Sequence, residues 1–147
     1  MLVGVISDTH GTLPREVHEA FVGVDRIVHA GDVGTPAVLA ELEAIAPVTA
    51  VSGNVDPAEL FLPPLANVRL GGVRVLVVHR PADVPRPLPD GVGVVVTGHT
   101  HLPVADARAG VLHLNPGSAS RSRGADRSVA LLTIADGSAH ARIVALC

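Results

Sequence analysis

Eight short, valine-rich apolar runs limit what this chain can fold into: Leu2–Ile6, Arg26–His29, Val48–Val51, Val73–Val78, Val92–Val96, Val111–Leu114, Val129–Ile134 and Arg142–Leu146. Each is bounded by Gly, Pro, Asn or Asp and is too short for a core helix, so each reads as a β-strand. Unbroken apolar strands belong in sheets covered on both faces. Residues Val68–Val75 place Gly71-Gly72 between two extended segments and predict a β-hairpin. Only Phe21 and Phe61 are aromatic. The core must therefore be built from Val, Leu, Ile and Ala, which suits buried strands.

Two helices fall between the early strands. Pro14 fits a first helical turn, and Val17, Phe21 and Val24 follow at helical spacing. Thr35-Pro36 is a cap followed by a proline at the first helical position, ahead of an apolar stripe of Val38, Leu42 and Ile45. The first third thus alternates strand and helix, as α/β units do, and the rest is mostly strand. Arg80–Asp90 holds four prolines and predicts a surface loop. With 147 residues, no internal repeat and no shift in composition, one domain spanning 1–147 is expected.

Composition excludes several roles. The formal net charge is −3, and the basic residues, all arginine, form no block, so duplex nucleic acid is not an expected partner. The aromatic shortage argues against stacking bases of single strands. The single cysteine, Cys147, permits neither an internal disulfide nor a zinc-thiolate cluster. No apolar run approaches the ~18 residues of a membrane span, and the opening MLVGVISDTH lacks the basic start of a secretory leader. The expectation is a soluble cytoplasmic protein with no membrane partner.

Chemistry collects where strands end. Asp8 and His10 follow the first strand and, two apart in extended chain, would point to the same side. Asp32 follows the second strand in Gly31-Asp32, and Asn54 the third in Gly53-Asn54. An Asn carbonyl oxygen can ligate a metal without adding charge. His79 ends Val73–Val78, and Gly98-His99-Thr100-His101 follows Val92–Val96. Alone, each is a common turn or a buried histidine. Together, five strand-like runs end in a metal-capable residue at the same end, and α/β sites form beyond the carboxyl ends of strands. Seven ligands gathered there would supply two metals, with Asp32 shared between them. Asp56 reads as a turn or cap residue, and His29 as a buried histidine or an outer residue orienting a ligand.

These motifs, Asp-x-His-Gly, Gly-Asn, Gly-His-x-His and the rest, stand in the order of the calcineurin-like metallophosphoesterase superfamily. The chain most resembles its small prokaryotic phosphodiesterase branch, and Leu114-Asn115-Pro116-Gly117-Ser118 is similar to that branch's signature. The resemblance covers residues 3–118. It implies a four-layer αββα sandwich of two mixed β-sheets flanked by helices. It also implies that Asp8, His10 and His101 hold one metal, that Asn54, His79 and His99 hold a second, and that Asp32 bridges them. Asp32, Asn54, His79 and His99 are then also the catalytic candidates. Many superfamily members carry His after the Gly-Asn pair; here Val55 stands there, as in much of the smaller branch. The usual His-Gly-His is His79-Arg80-Pro81 here, and the proline loop replaces a segment that is usually helical.

The implied activity is a phosphodiesterase in which a hydroxide activated by two metals attacks phosphorus in line with the leaving oxygen. Ligands of mixed oxygen and nitrogen suit Mn²⁺, Fe²⁺, Co²⁺, Ni²⁺ or Zn²⁺, and the resemblance favours Mn²⁺. Small phosphate esters are the expected substrates. Arg80 and Asn54 are candidates to bind them, while Arg121 and Arg123 read first as solvated surface residues. The branch forms homo-oligomers, but no interface signature is visible in this sequence. Two alternatives stand beside this reading: a phosphomonoesterase or phosphoprotein phosphatase, and a non-catalytic protein-binding scaffold on the same fold, like the superfamily's retromer subunit.

Overall fold

The computed structural model describes residues 1–147. Ten strands form two mixed sheets of five. The first sheet is built from β1 (Leu2–Ile6), β2 (Arg26–His29), β3 (Val48–Ala50), β9 (Ser128–Ala135) and β10 (Ser138–Ala145), in the order β10-β9-β1-β2-β3. The second holds β4 (Leu65–Leu70), β5 (Val73–Val78), β6 (Val92–Val96), β7 (Val104–Arg108) and β8 (Val111–Asn115), in the order β4-β5-β6-β8-β7. Within the first sheet β1, β2 and β3 run parallel, as do β5, β6 and β8 in the second.

The sheets stack face to face over an apolar core. Val3, Val5 and Val28 of one sheet meet Val75, Val77, Val94, Val96 and Leu114 of the other. With small branched side chains on both inner faces, the sheets pack closely without aromatic filler. The outer face of the first sheet is covered by α1 (Glu16–Ala20) and α2 (Pro36–Glu43), whose Val17, Val38 and Leu42 join Phe21, Ile6 and Ile27 in a second cluster. Phe21 is fully buried there, worth about 3 kcal/mol in apolar burial. The outer face of the second sheet has a thinner cover. Leu76, Val92 and Val95 lie beneath Val84 and Leu88 of the proline loop, where the only helical element is a one-turn 3-10 helix, Pro81–Asp83. The two sheets and their flanking layers are those of the αββα sandwich.

Several boundaries differ from expectation for identifiable reasons. The first helix stops at Ala20 rather than running to Val24, yet Val24 is buried all the same. The hairpin begins at Leu65, with Gly71 and Gly72 both at positive φ in its turn. Strand β7 is absent from the apolar pattern because all five of its residues are exposed at a sheet edge, so no side-chain periodicity marks it. No helix is long and apolar enough to cross a membrane.

Candidate metal centre

The strands that carry the seven candidate ligands run parallel within their sheets, so their carboxyl ends lie together. Backbone bonds past the ladders lock the adjoining loops: Asp8 N–H donates to Gly31 O (3.0 Å), His10 N–H to Asp32 O (2.9 Å) and Gly98 N–H to His79 O (2.8 Å). The local backbone is not the extended chain the sequence suggests. Asp8, His10, Asp32, His99 and His101 all have φ between 50° and 70°. That left-handed conformation costs a residue with a side chain about 1–3 kcal/mol. Five of the seven candidates carry this strain.

Each carboxylate has one oxygen tied down and the other presented. Asp8 Oδ2 accepts from Ser7 Oγ (2.5 Å) and His99 N–H (3.0 Å). Its Oδ1 faces Nε2 of His101, His10 and His79 at 3.2, 3.7 and 3.9 Å. Asp32 Oδ1 accepts from Val55 N–H (3.1 Å), leaving Oδ2 at 3.2 Å from His79 Nε2 and 3.8 Å from His10 Nε2. Two glycines make these approaches possible. A Cβ on Gly98 would sit 2.0 Å from Ser7 Oγ and 2.8 Å from Asp8 Oδ2, and one on Gly53 would sit 2.1 Å from Asp32 Oδ1.

The donor set suits divalent cations. Asp8 Oδ1, His10 Nε2, His79 Nε2 and His101 Nδ1 are buried without a hydrogen-bond partner, an arrangement protein interiors avoid unless another group satisfies it. The ligand atoms of Asp8, His10 and His101 lie within 4.8 Å of one another, as do those of Asp8, Asp32 and His79. Asp8 is thus common to both groups by distance, and Asp32 Oδ2 lies between His10 and His79. Nδ1 of His79 donates to Ala30 O (2.8 Å), which aims Nε2 at the carboxylates in the manner of metal-ligating histidines. Asn54 and His99 stand at the flank: His99 Nδ1 donates to Asn54 Oδ1 (3.1 Å), and the His99 ring meets His79 edge-on with centroids 5.2 Å apart.

Titration reflects this crowding. Burial pushes the Asp32 carboxyl up, but the adjacent His79 imidazole, the Val55 amide and the His10 imidazole outweigh it and hold Asp32 at about 2. Burial likewise opposes charge on His79, yet the nearby Asp32 carboxylate, the bond to Ala30 O and the Asp8 carboxylate raise its pKa. Burial, with Arg123 and His10 nearby, lowers His101 despite Asp8. A divalent ion at His79 Nε2 would compete with a proton for that nitrogen, so metal uptake would release protons.

A ring of residues behind the ligands positions them. Fully buried His29 accepts from Gly31 N–H through Nδ1 (3.1 Å) and donates through Nε2 to Thr9 Oγ1 (3.0 Å). It joins the turns that carry Asp8 and Asp32 without touching either carboxylate, and burial depresses its pKa to about 4. Asp56 is more than a turn residue: it accepts from Gly34, Val33 and Gly53 N–H at 2.9, 3.1 and 2.8 Å, bracing the Asp32 loop against the Asn54 loop. Asn115 Nδ2 donates to Gly98 O (2.9 Å), and Ser118 and Ser120 Oγ each donate to Asp8 O (2.9 Å). Ser7, Asp56 and Ser120 were missed as positioning residues, because a lone Ser or Asp beside a turn carries no distinctive spacing.

A cavity of about 380 Å³ opens over the centre, lined by His10, Asp32, Asn54, Val55, His99, His101, Arg121 and Arg123. Arg80, the expected substrate-binding arginine, is not on that wall. The 3-10 turn after it brings Asp83 within reach, and Arg80 Nε donates to Asp83 Oδ2 (3.1 Å) at the exposed surface. Arg121 and Arg123, expected as solvated residues, are the arginines that line the cavity.

Residues 1–137 match the family model of the calcineurin-like phosphoesterase superfamily domain. A probable metallophosphoesterase of Methanocaldococcus jannaschii is 38% identical over 152 residues, covering 92% of this chain and 77% of that protein. Phosphodiesterase YfcE of Escherichia coli is 37% identical over 145 residues, covering 80% of this chain and 79% of YfcE. The solved structure of the E. coli phosphoesterase YfcE superposes with a TM-score of 0.71 at 32% identity, covering 100% of both chains. Vps29 of Entamoeba histolytica, solved in complex with zinc, superposes with a TM-score of 0.75 at 24% identity over 100% of both chains, a likeness of fold.

Proposed function

Because this chain belongs to the calcineurin-like phosphoesterase superfamily, we propose that it is a phosphodiesterase for small phosphate esters, using two divalent ions with Mn²⁺ favoured. Asp8, His10 and His101 would hold one ion, Asn54, His79 and His99 the other, with Asp32 between them. The observation that carries this reading is the set of four buried atoms without a hydrogen-bond partner on Asp8, His10, His79 and His101, gathered past the ends of β1, β5 and β6. When bound, such ions supply positive charge to the phosphate and acidify water near neutral pH.

The chain's own groups do the rest. Ser7 and the His99 amide hold Asp8, and the Val55 amide holds Asp32, so neither carboxylate must reorganise as charge develops. Ala30 O sets the ring of His79. Asn54 offers its amide to a phosphate oxygen from the cavity wall. The Val55 side chain, 56% exposed beside Asn54, carries no proton to give. The departing oxygen must leave as an anion or take its proton from solvent, which favours acidic leaving groups such as phenols.

The test is hydrolysis of bis(p-nitrophenyl) phosphate by chelator-treated protein with and without added Mn²⁺, beside the monoester p-nitrophenyl phosphate. Turnover that needs metal, exceeds monoester turnover and is lost in Asp32→Ala with an unchanged circular-dichroism spectrum supports the proposal. Faster monoester turnover would instead identify a phosphomonoesterase. No turnover with Mn²⁺, Ni²⁺, Co²⁺, Fe²⁺ or Zn²⁺ would leave the protein-binding scaffold.

A further inference from the structure

After β8 the chain leaves the second sheet, passes Ser118, runs through residues 119–127 and enters the first sheet at Ser128, the start of β9. The two ends of this loop are joined: Ser128 N–H donates to Ser118 O (2.9 Å) and Ser128 Oγ to Pro116 O (2.6 Å). Its first residues are fastened to the metal centre, since Ser118 and Ser120 both donate to the carbonyl of Asp8, and Arg121 N–H donates back to Ser118 Oγ (3.0 Å). Its last turn is held by Arg127 against Glu16 (3.4 Å). It is a compact surface loop closed on itself, a form that often carries function.

The two arginines of this loop are the only ones on the wall of the cavity over the candidate ligands, and like Arg15, Arg26, Arg86 and Arg142 they are not tied down by an ion pair. Arg80, Arg108 and Arg127 each pair with a carboxylate, and Arg69 and Arg74 donate to oxygens of the hairpin. Arg121 and Arg123 have no acidic partner, although Asp126 is only a few residues away, and both line the cavity over the ligands. Val55 is the one apolar residue on that wall, and no Phe, Tyr or Trp is on it. Recognition there must be electrostatic and directional, and the guanidinium fork matches phosphate oxygens.

We propose that Arg121 and Arg123 form a second anion subsite beside the metal centre, so that preferred substrates carry another phosphoryl group next to the scissile phosphate. This rests on the phosphoesterase reading. Charge balance separates a second phosphate from extra contacts to the first. Two divalent ions set against the carboxylates of Asp8 and Asp32 leave two positive charges. Those match a diester as it gains its second negative charge in the transition state. The two guanidiniums add two more, which one scissile diester does not need and a neighbouring phosphoryl group does. A nucleotide or sugar diester bearing a further phosphate fits the cavity's size, which lies in the usual range for small ligands.

The experiment compares thymidine 3′-(p-nitrophenyl phosphate) with its 5′-phosphorylated form, which share a leaving group, in wild type, Arg121→Gln, Arg123→Gln and the double variant. A distant Arg69→Gln, with the same change of charge as each single variant, is the control. Alongside, calorimetry with chelator present compares binding of methylenediphosphonate and methylphosphonate to the same proteins. The expected result is a kcat/KM at least tenfold higher for the 5′-phosphorylated ester. That ratio falls to within about threefold of unity in the double variant and is unmoved in Arg69→Gln, and the diphosphonate preference falls in parallel. A wild-type ratio near one, or a ratio the arginine variants leave intact, overturns the subsite. If neither ester turns over while the arginines still govern diphosphonate binding, the subsite stands and the enzyme reading fails.

Discussion

Acidifying the metal-free protein from pH 7.5 to pH 4 is expected to remove about 3 kcal/mol of stability through one side chain, His29. Burial depresses its pKa from the ordinary 6.5 to about 4, with the Asp56 carboxylate only partly opposing the effect. Above pH 6.5 the ring is neutral in both folded and unfolded chains, and the full stability is present. Between 6.5 and 4 the unfolded chain takes up a proton that the folded one refuses, so stability falls as pH falls. Below 4 both are protonated and the loss levels off. At about 1.36 kcal/mol per pH unit, the interval is worth about 3 kcal/mol, of which about 2 is gone by pH 5. Against a typical total of roughly 5–15 kcal/mol, that is large. The assay is urea unfolding with chelator present, in half-unit pH steps, for wild type and His29→Asn. Asparagine keeps an acceptor for Gly31 N–H but has no proton to gain. Losing the bond to Thr9 lowers its curve by about 1 kcal/mol at every pH. Other titrating groups cancel in the difference. His79, whose pKa is raised, contributes stability at low pH that is lost as pH rises through its folded value, in both proteins. The gap between the curves should close, and reverse, by about 3 kcal/mol from pH 7.5 to 4. Parallel curves would refute the reasoning.

Three further outcomes follow from the geometry. Ser7→Ala frees Asp8 Oδ2 from its 2.5 Å partner and is expected to weaken Mn²⁺ binding by about 10–100-fold, as losing an outer-shell bond does, read by calorimetry. Gly98→Ala drives a Cβ to 2.0 Å from Ser7 Oγ and should cost about 3 kcal/mol by overpacking, read as a lowered urea midpoint. A midpoint equal to wild type would mean the loop yields freely. Val55→His places a proton donor at the cavity wall. It should raise kcat on alkyl phosphodiesters by about 10-fold or more while changing aryl diesters little, and so flatten the dependence of rate on leaving-group pKa.

Much of the candidate site was legible before any tertiary structure. The candidate ligand residues follow short apolar runs, and a run of valines bounded by Gly or Asp marks a strand end from local chemistry alone. The same locality explains the misses. Strand β7 buries nothing, so its residues carry no pattern. Arg80 beside His79 looked close to substrate by position in the chain, yet the 3-10 turn after it delivers Asp83 to its guanidinium. Asp56 looked like a turn residue because its three amide partners belong to two loops, one of them more than twenty residues away.

By itself, the sequence determined the two helices, the apolar strands and which residues can ligate metal, because helix and strand periodicity and ligand chemistry belong to short stretches of chain. Tertiary structure decided that strand ends from two different sheets meet, that five of the candidate ligands adopt left-handed backbone, and that Arg121 and Arg123 line the cavity over them. Those outcomes depend on strand order and sheet stacking. They are set by contacts between segments tens of residues apart, which no local pattern encodes.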